Sequence, residues 1–555
     1  MKKYLLSLLL LTVTLTMSAA ERPTTKMRKA AAKTLDVSKA KVTLSKPTLD
    51  VYNDGKRFAI VSRDDRFPAL LAYGLGNFDI DKAPANVKWW FEAVQRSMDK
   101  AVKENVTRRA TAVYTPVTPF VVTKWGQTTP YNNYCPVFEK DKTKAPTGCM
   151  ATAMAQIINY QEYPASAKFE GSYTVDDIEK TAMVESTYNY PYNIAYGNYL
   201  PTADGEVEQM SYTPLQGNKI AALMRDCGYS IGMNYNANAS GGLSVFSGAA
   251  FIEKFGYPKA SVKYLQRYFY ADEDWMDMVY SELQNKTPIV YAGSSKDSGG
   301  HAFVLHGMDA EGLVFVNWGW SGAYDGYYDI NVLTPGVDDF SGAQEMVIGA
   351  RPTALSTDVW HSIFATEEPY TLSFDNNNKK LILKLVEGIY NQACLVFKGK
   401  WVLLLENIDN PEKTEYLDLI DEGEFIDIFH GYGSGTITWE LTIEPGTYHI
   451  YVATADVGEA NWQYVRTFGG CFYYDMTVED NGTVTISTTP TFTTATAPEA
   501  PEIPEPTGIQ NILAKPIVSV EPVRYFDVQG REVNGSTKGL LIRRQGDEVK
   551  KVIVR

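Results

Sequence analysis

Histidine and cysteine are scarce in this chain: 555 residues carry five of each. The histidines are His301, His306, His361, His430 and His449. No His-Glu-x-x-His run and no spaced Cys/His set occurs, so the sequence offers no zinc site, and no metal or cofactor is expected. Basic clusters are also missing. The formal net charge is −14, and no Lys/Arg run is dense enough to neutralise a phosphate backbone, which argues against nucleic acid as a partner. Long apolar runs are absent as well. The longest opens the chain and falls short of the ~20 residues that span a bilayer, so no transmembrane segment is expected.

What the chain does have at its start is the pattern of a signal peptide over residues 1–20. Lys2 and Lys3 are its charged region, Leu5 to Val13 its apolar core, and Ser18-Ala19-Ala20 a small-residue cleavage site. The expected location is therefore secreted, cell-surface or periplasmic. No cysteine precedes Cys135, which argues against a lipid anchor. Five cysteines are an odd number for an exported protein, so one is expected to be free and reactive. If that one is Cys149, Cys135 with Cys227 and Cys394 with Cys471 are possible disulfides; buried unpaired thiols fit equally well.

A chain this long exceeds one core and divides into several units. Residues 21–46 are polar and read as mobile. Residues 48–104 carry an α+β pattern: a hairpin turn at Asp54-Gly55 and an amphipathic helix over 86–102 with Trp89, Trp90 and Phe91. The polar, proline-bearing stretch 108–116 reads as an exposed linker. A small folded unit ahead of a larger one suggests a propeptide over 21–116, with an ordinary N-terminal subdomain as the alternative. Residues 117–352 form an α+β block with loops and short elements at 170–250, a surface helix at 272–283, and strands at 288–291, 302–305 and 313–316. Residues 366–487 change to short alternating segments with turn signals, the pattern of a β-sandwich. Residues 488–507 are Thr- and Pro-rich, an extended linker. Residues 508–555 form a small β module, with strand-like stretches at 518–520, 523–526 and 549–554.

The chemistry centres on Thr147-Gly-Cys-Met-Ala-Thr-Ala-Met-Ala-Gln-Ile-Ile-Asn-Tyr160. Alanine content and the spacing of Met150, Met154, Ile157 and Ile158 predict a helix that is apolar nearly all round, hence buried. With Thr147 as N-cap, Cys149 falls in the first turn, where unpaired N–H groups and the dipole favour a thiolate. A buried cysteine acting as a small hydrophobe is the competing reading. Only His301 and His306 lie in the same block. Period-two alternation puts His301 on one face with Phe303 and Leu305, and His306 on the other with Ala302 and Val304. Only one can face the helix. Two glycines before His301 leave room for a substrate, so His301 is taken as the base and His306 as a core residue. Asn317 is placed to accept a hydrogen bond from the ring, with Trp318 or Trp320 shielding it. Gln127 offers a neutral amide donor which, with the Cys149 N–H, suits an oxyanion site.

These stretches carry a resemblance. Gly148-Cys-Met-Ala-Thr-Ala-Met-Ala-Gln156 with Tyr163-Pro164 resembles the nucleophile motif of the streptopain family of cysteine peptidases. Gly300-His-Ala-Phe-Val304, Val316-Asn-Trp-Gly-Trp-Ser-Gly322 and Asp325-Gly-Tyr-Tyr328 are similar to its histidine and tryptophan motifs, and Trp125 to Asn132 to its glutamine motif. Phe58 to Tyr73 with Trp89-Trp90 resembles its inhibitory propeptide. The resemblance spans about 48–350. It implies a papain-like fold and an endopeptidase made as a zymogen, acting on protein or peptide substrates and inhibited by its own propeptide. By motif, Cys149 is the nucleophile, His301 the general base and acid, and Gln127 an oxyanion donor, with Asn317 and Trp318 the pair beside the histidine. Ser321 stands where the family commonly has glycine.

The chain end, with Pro506-Thr-Gly-Ile509, Tyr525 to Arg531, Lys538 to Leu541 and Lys550 to Arg555, resembles a C-terminal sorting segment of exported Bacteroidetes proteins and implies contact with export machinery. Two other functional classes remain in view: a secreted binding or adhesion protein on an inactive papain-like domain, and a Cys-His amidase or acyltransferase.

Overall fold

The computed structural model describes residues 21–104, 113–138, 142–190, 199–201, 207–209, 212–295, 299–331, 344–419 and 424–501, with the backbone of four strands between Arg524 and Val554. The signal-peptide stretch, most of the 108–116 linker and the strand expected at 518–520 lie outside the described residues.

The first unit runs α1 (Thr24–Ala31), β1 (Lys41–Ser45), β2 (Leu49–Asn53), β3 (Arg57–Ser62), β4 (Leu70–Leu75) and α2 (Ala85–Lys103). The Asp54-Gly55 turn joins β2 to β3 as expected, with Gly55 at φ +95°. Residues 21–46, read as mobile, are instead ordered. Met27, Ala30 and Ala31 bury one stripe of α1 against Ala59, Val61 and Leu70, and β1 pairs with β2. Alternating side chains of a short polar segment can still form a strand when a partner satisfies its backbone.

The second unit contributes α3 (Cys149–Gln161), β5 (Ser166–Val175), β6 (Ile178–Thr187), β7 (Tyr199–Pro201), β8 (Val207–Gln209), α4 (Pro214–Ser230), β9 (Met233–Tyr235), α5 (Ser244–Glu253), β10 (Lys263–Gln266), α6 (Asp272–Gln284), β11 (Ile289–Ser295), β12 (Gly299–Met308), β13 (Val314–Asn317), β14 (Gly326–Tyr328) and β15 (Gln344–Ile348). The 170–250 stretch is more regular than its Tyr/Asn/Gly content suggests. It holds the ten-pair β5–β6 hairpin and the 17-residue α4, started by a Thr213–Gln216 capping box.

Both units share one sheet, in the order β1-β2-β3-β4-β14-β13-β12-β11-β15-β10. The seam is antiparallel, pairing Gly326 with Gly74, Tyr327 with Tyr73 and Tyr328 with Ala72. Glycine is required on both sides. A Cβ at Gly326 would lie 2.4 Å from the Tyr73 carbonyl oxygen, and one at Gly74 2.6 Å from that of Asp325. The sheet is covered on both faces, so its strands are apolar at successive positions. Val290, Ala292, Ala302 and Val304 feed a core with α3, α4 and α5. Ile289, Tyr291, Phe303 and Leu305 feed another with α2 and α6. Trp89 and Trp90 of α2 thus complete the core of the second unit.

From Phe364 to Thr493, thirteen strands form one connected set, the strand-rich character expected from the sequence. Leu381, Leu383, Leu403, Leu405, Ile450 and Val452 share its core. Residues 488–501, the described part of the stretch read as an extended linker, are tied to the strands before them. Thr491–Thr493 pairs with Cys471–Tyr473, and the Trp462 N–H donates to the Pro498 carbonyl at 3.0 Å. This unit docks on the second one through Lys259–Asp456 (3.3 Å) and Arg466, whose guanidinium lies 4.0 Å from the Tyr270 ring centroid.

All five cysteines are free, so neither possible disulfide forms. Cys394 packs against Gly248 of α5, and the Cys471 sulfur accepts a hydrogen bond from Arg466 at 3.1 Å; each is committed to a different neighbour.

Trp89 is 1 % exposed, so truncating it opens a large cavity. Trp89→Ala, made in a Cys149→Ala background to stop self-cleavage, should cost about 3–5 kcal/mol in urea unfolding of the full chain. A loss below about 1 kcal/mol would mean that α2 does not complete this core.

Candidate active site

Helix α3 begins one residue later than Thr147 capping requires. Gly148 is the cap residue, at φ +87°, where glycine alone is unstrained. A Cβ there would also lie 2.8 Å from the Met233 sulfur and 3.0 Å from the Ser240 carbonyl oxygen. Thr147 is turned inward: its hydroxyl meets that of Thr152 at 2.8 Å, and its N–H donates to the Gln127 carbonyl at 3.0 Å. Gln127 is thereby held two residues from the head of the helix, with its side chain buried.

Cys149 is the first helical residue and remains partly exposed. Its Sγ accepts the Ala302 N–H at 3.3 Å. The expected lowering of the thiol pKa does not prevail in this form of the chain. Desolvation pushes it above its ordinary value, and the N–H groups of Ala302, Met150 and Cys149 itself offset that only in part.

The residue donating to Cys149 directly follows His301. In β12 the alternation runs opposite to the expectation that His301 faces the helix. Ala302 and Val304 join the α3 core, and Phe303 and Leu305 the α2 core, so His301 shares the face with Phe303. Its cross-strand partner is Gly293, and directly opposed residues share a face. That place is filled by α2: a Cβ at Gly293 would lie 2.2 Å from two ring carbons of Trp89. His301 itself is half-buried.

Asn317 ends β13 and is 1 % exposed. Its carbonyl oxygen, expected to take an imidazole N–H, takes the Gly319 N–H at 3.0 Å and the Gln156 amide at 3.3 Å. Trp318 is fully buried on the His301 face, its ring 4.6 Å from Phe303 and 5.0 Å from Tyr328. Its backbone N–H donates to the Asp325 carboxylate at 3.0 Å, and burial raises that carboxyl to about 7. Trp320 is partly exposed and donates to the Asn86 side chain at 3.1 Å. Asn86 in turn donates to the Trp318 carbonyl at 2.9 Å, so the first turn of α2 grips the turn that carries both tryptophans. Ser321, the departure from the family pattern, sits at φ +54°, a conformation glycine adopts freely.

His306 behaves as the core residue it was read to be. Its Nδ1 accepts the N–H groups of Phe120 (3.2 Å) and Val121 (3.1 Å), and burial lowers its pKa to about 3. His361, His430 and His449 belong to the strand-rich part of the chain. Sequence reading missed Asn86, Trp89 and Gln156 as site neighbours. The signal for Gln156 was there: it is a long polar side chain flanked on both sides by apolar residues of the helix.

Residues 125–328 match the model of the Peptidase C10 family, and residues 14–98 match that of the Spi protease inhibitor. The chain is 32 % identical over 340 residues to streptopain of Streptococcus pyogenes, covering 56 % of this chain and 82 % of that protein. It is also 32 % identical over 338 residues to the thiol protease/hemagglutinin PrtT of Porphyromonas gingivalis, there covering 55 % of this chain and 37 % of the relative. Among solved structures, a fragment of Prevotella intermedia prointerpain A aligns at 32 % identity and a TM-score of 0.49, over 57 % of this chain and 99 % of the fragment.

A histidine held neutral in the fold binds fewer protons than its unfolded counterpart between about pH 3 and the ordinary value of 6.5. Stability therefore rises with pH across that window and is lost as pH falls through it. His306→Gln should flatten that acid slope in urea titrations of the Cys149→Ala chain. An unchanged slope would show that His306 takes up its proton in the folded state.

Proposed function

Since the chain belongs to the Peptidase C10 family, we propose that it is a cysteine endopeptidase made as a zymogen, with Cys149 as nucleophile and His301 as general base and acid. The observation that carries this reading is the 3.3 Å contact between the Cys149 sulfur, at a helix head, and the N–H of the residue after His301.

In the active form, the His301 ring, released from the α2 face and turned to the sulfur, takes the thiol proton and leaves an ion pair. The sulfur attacks the scissile carbonyl carbon, and the C=O electrons move onto oxygen. The Cys149 N–H and the Gln127 amide donate to that oxyanion. Its collapse breaks the C–N bond as His301 gives its proton to the leaving amine. Water then attacks the thioester, giving its proton to His301, and the carboxylic acid leaves as the thiol is restored. Trp318 walls the His301 side of the strand, and Asn317 fixes the turn that carries it.

The 21–116 segment is read as the inhibitor. Two features support this: Trp89 fills the place opposite His301, and Asn86 ties down the Trp318–Trp320 turn. In this state the thiol stays protonated, because desolvation outweighs its N–H donors. Protein substrates, export through residues 1–20, a β-sandwich over 366–487 and an export address in 508–555 complete the proposal.

Two measurements test it. Casein degradation by the self-processed enzyme should vanish in Cys149→Ala; persistence would reassign the nucleophile, and an enzyme that spared proteins yet cleaved a cell-wall amide would be an amidase. Iodoacetamide should label Cys149 slowly at pH 7 in unprocessed chain, with the rate rising only at alkaline pH. After processing the titration should move to lower pH, and N-terminal sequencing should place the new start within about 108–119. Equal labelling profiles before and after processing would rule out a propeptide effect on the thiol.

A further inference from the structure

Seven residues after Cys149, two helical turns along α3, Gln156 points into the interior with no exposed surface. A buried amide in an otherwise apolar helix is costly unless its hydrogen bonds are made. Here they reach two separate segments. Its oxygen accepts from the Thr123 hydroxyl (3.0 Å), the Trp125 N–H (3.2 Å) and the Asn317 amide (2.9 Å). Its NH2 group donates back to the Asn317 oxygen at 3.3 Å.

Backbone groups dictate which way round both amides lie. The Trp125 N–H is only a donor, so it requires the Gln156 oxygen. The Thr123 carbonyl is only an acceptor, and it takes the Asn317 NH2 at 2.7 Å. With both flips fixed, the Asn317 oxygen is left for the Gly319 N–H at 3.0 Å, which shapes the turn carrying Trp318 and Trp320. One reciprocal amide pair therefore registers the nucleophile helix, the 123–127 segment leading to Gln127, and the end of β13.

We propose that Gln156 is a positioning residue for the peptidase reaction, acting through its amide pair with Asn317 to set Cys149, Gln127 and the Trp318 turn relative to one another. The proposal rests on the Cys149–His301 reading. A group that sets the distance between reacting parts affects the transition state more than ground-state binding, so it should alter kcat rather than KM. It should also be inseparable from its partner, since removing either half of the pair frees the same segments.

The test uses self-processed full chain with fluorescein-labelled casein. Gln156→Glu keeps the oxygen that serves Thr123, Trp125 and Asn317 but loses the donor to Asn317. Gln156→Met keeps the shape and loses every bond. Gln156→Met and Asn317→Leu should each lower kcat about 10–100-fold with KM within twofold, and the double variant should be no worse than the poorer single. Gln156→Glu should recover part of the loss. The same variants in a Cys149→Ala background, followed by thermal unfolding, separate misfolding from mispositioning. Wild-type kcat in folded Gln156→Met, a loss confined to KM, or multiplicative losses in the double variant would each overturn the proposal. Wild-type enzyme is titrated with iodoacetamide in parallel. If it stayed active with Cys149 alkylated, the functional reading would fail; if it lost activity while the Gln156 variants matched it, only this inference would.

Discussion

A sheet buried on both faces is the constraint from which the site follows. Along β11 and β12, successive residues are claimed by different cores, Ala302 and Val304 by the α3 side and Phe303 and Leu305 by the α2 side. Neither strand can slip by one residue without sending each set to the wrong core. That fixes the Ala302 N–H beside the Cys149 sulfur and puts His301 on the opposite face. It also makes the first unit part of the second one's interior, since Trp89 and Trp90 cover a face that would otherwise be wet. A unit of this size is marginal alone, and here it borrows a neighbour's sheet.

The electrostatics of the thiol follow from that packing. A helix head and three N–H groups favour a thiolate, yet desolvation exceeds them. The dipole effect is worth roughly 0.3–1 kcal/mol in exposed settings, while burial of an anion without a partner costs several. Among the described residues, the groups acting on Cys149 are backbone N–H groups, and burial outweighs them, so the balance tips toward the neutral thiol.

Much of this was legible in the sequence, for physical reasons. Helix α3 announced itself through alanine and apolar spacing, and β11 to β13 through short apolar runs. His306 was recognisable as core from its apolar neighbours. The cap was misread because Thr147 outranks glycine in cap preference, whereas the packing of Met233 and Ser240 against position 148 selects glycine. The α1–β1 segment was invisible because its order comes from partners distant in sequence. The face of His301 was misassigned for a related reason: period two says which residues share a face, and only the packed helices say which face is which.

The β4–β14 seam bears on what the proposed activation would have to accomplish. Its contacts are main-chain hydrogen bonds with glycines in close approach, reinforced by two tryptophans sunk in a common core. Hydrolysis of one peptide bond in the connecting segment removes a tether and leaves every one of these contacts in place. The nicked molecule is then a two-piece complex governed by mass action, and its first fragment leaves at a rate set by the local unfolding of strand and helix. In the proposed activation, scission and unmasking would thus be separate events in time, and the interval between them would belong to the interface.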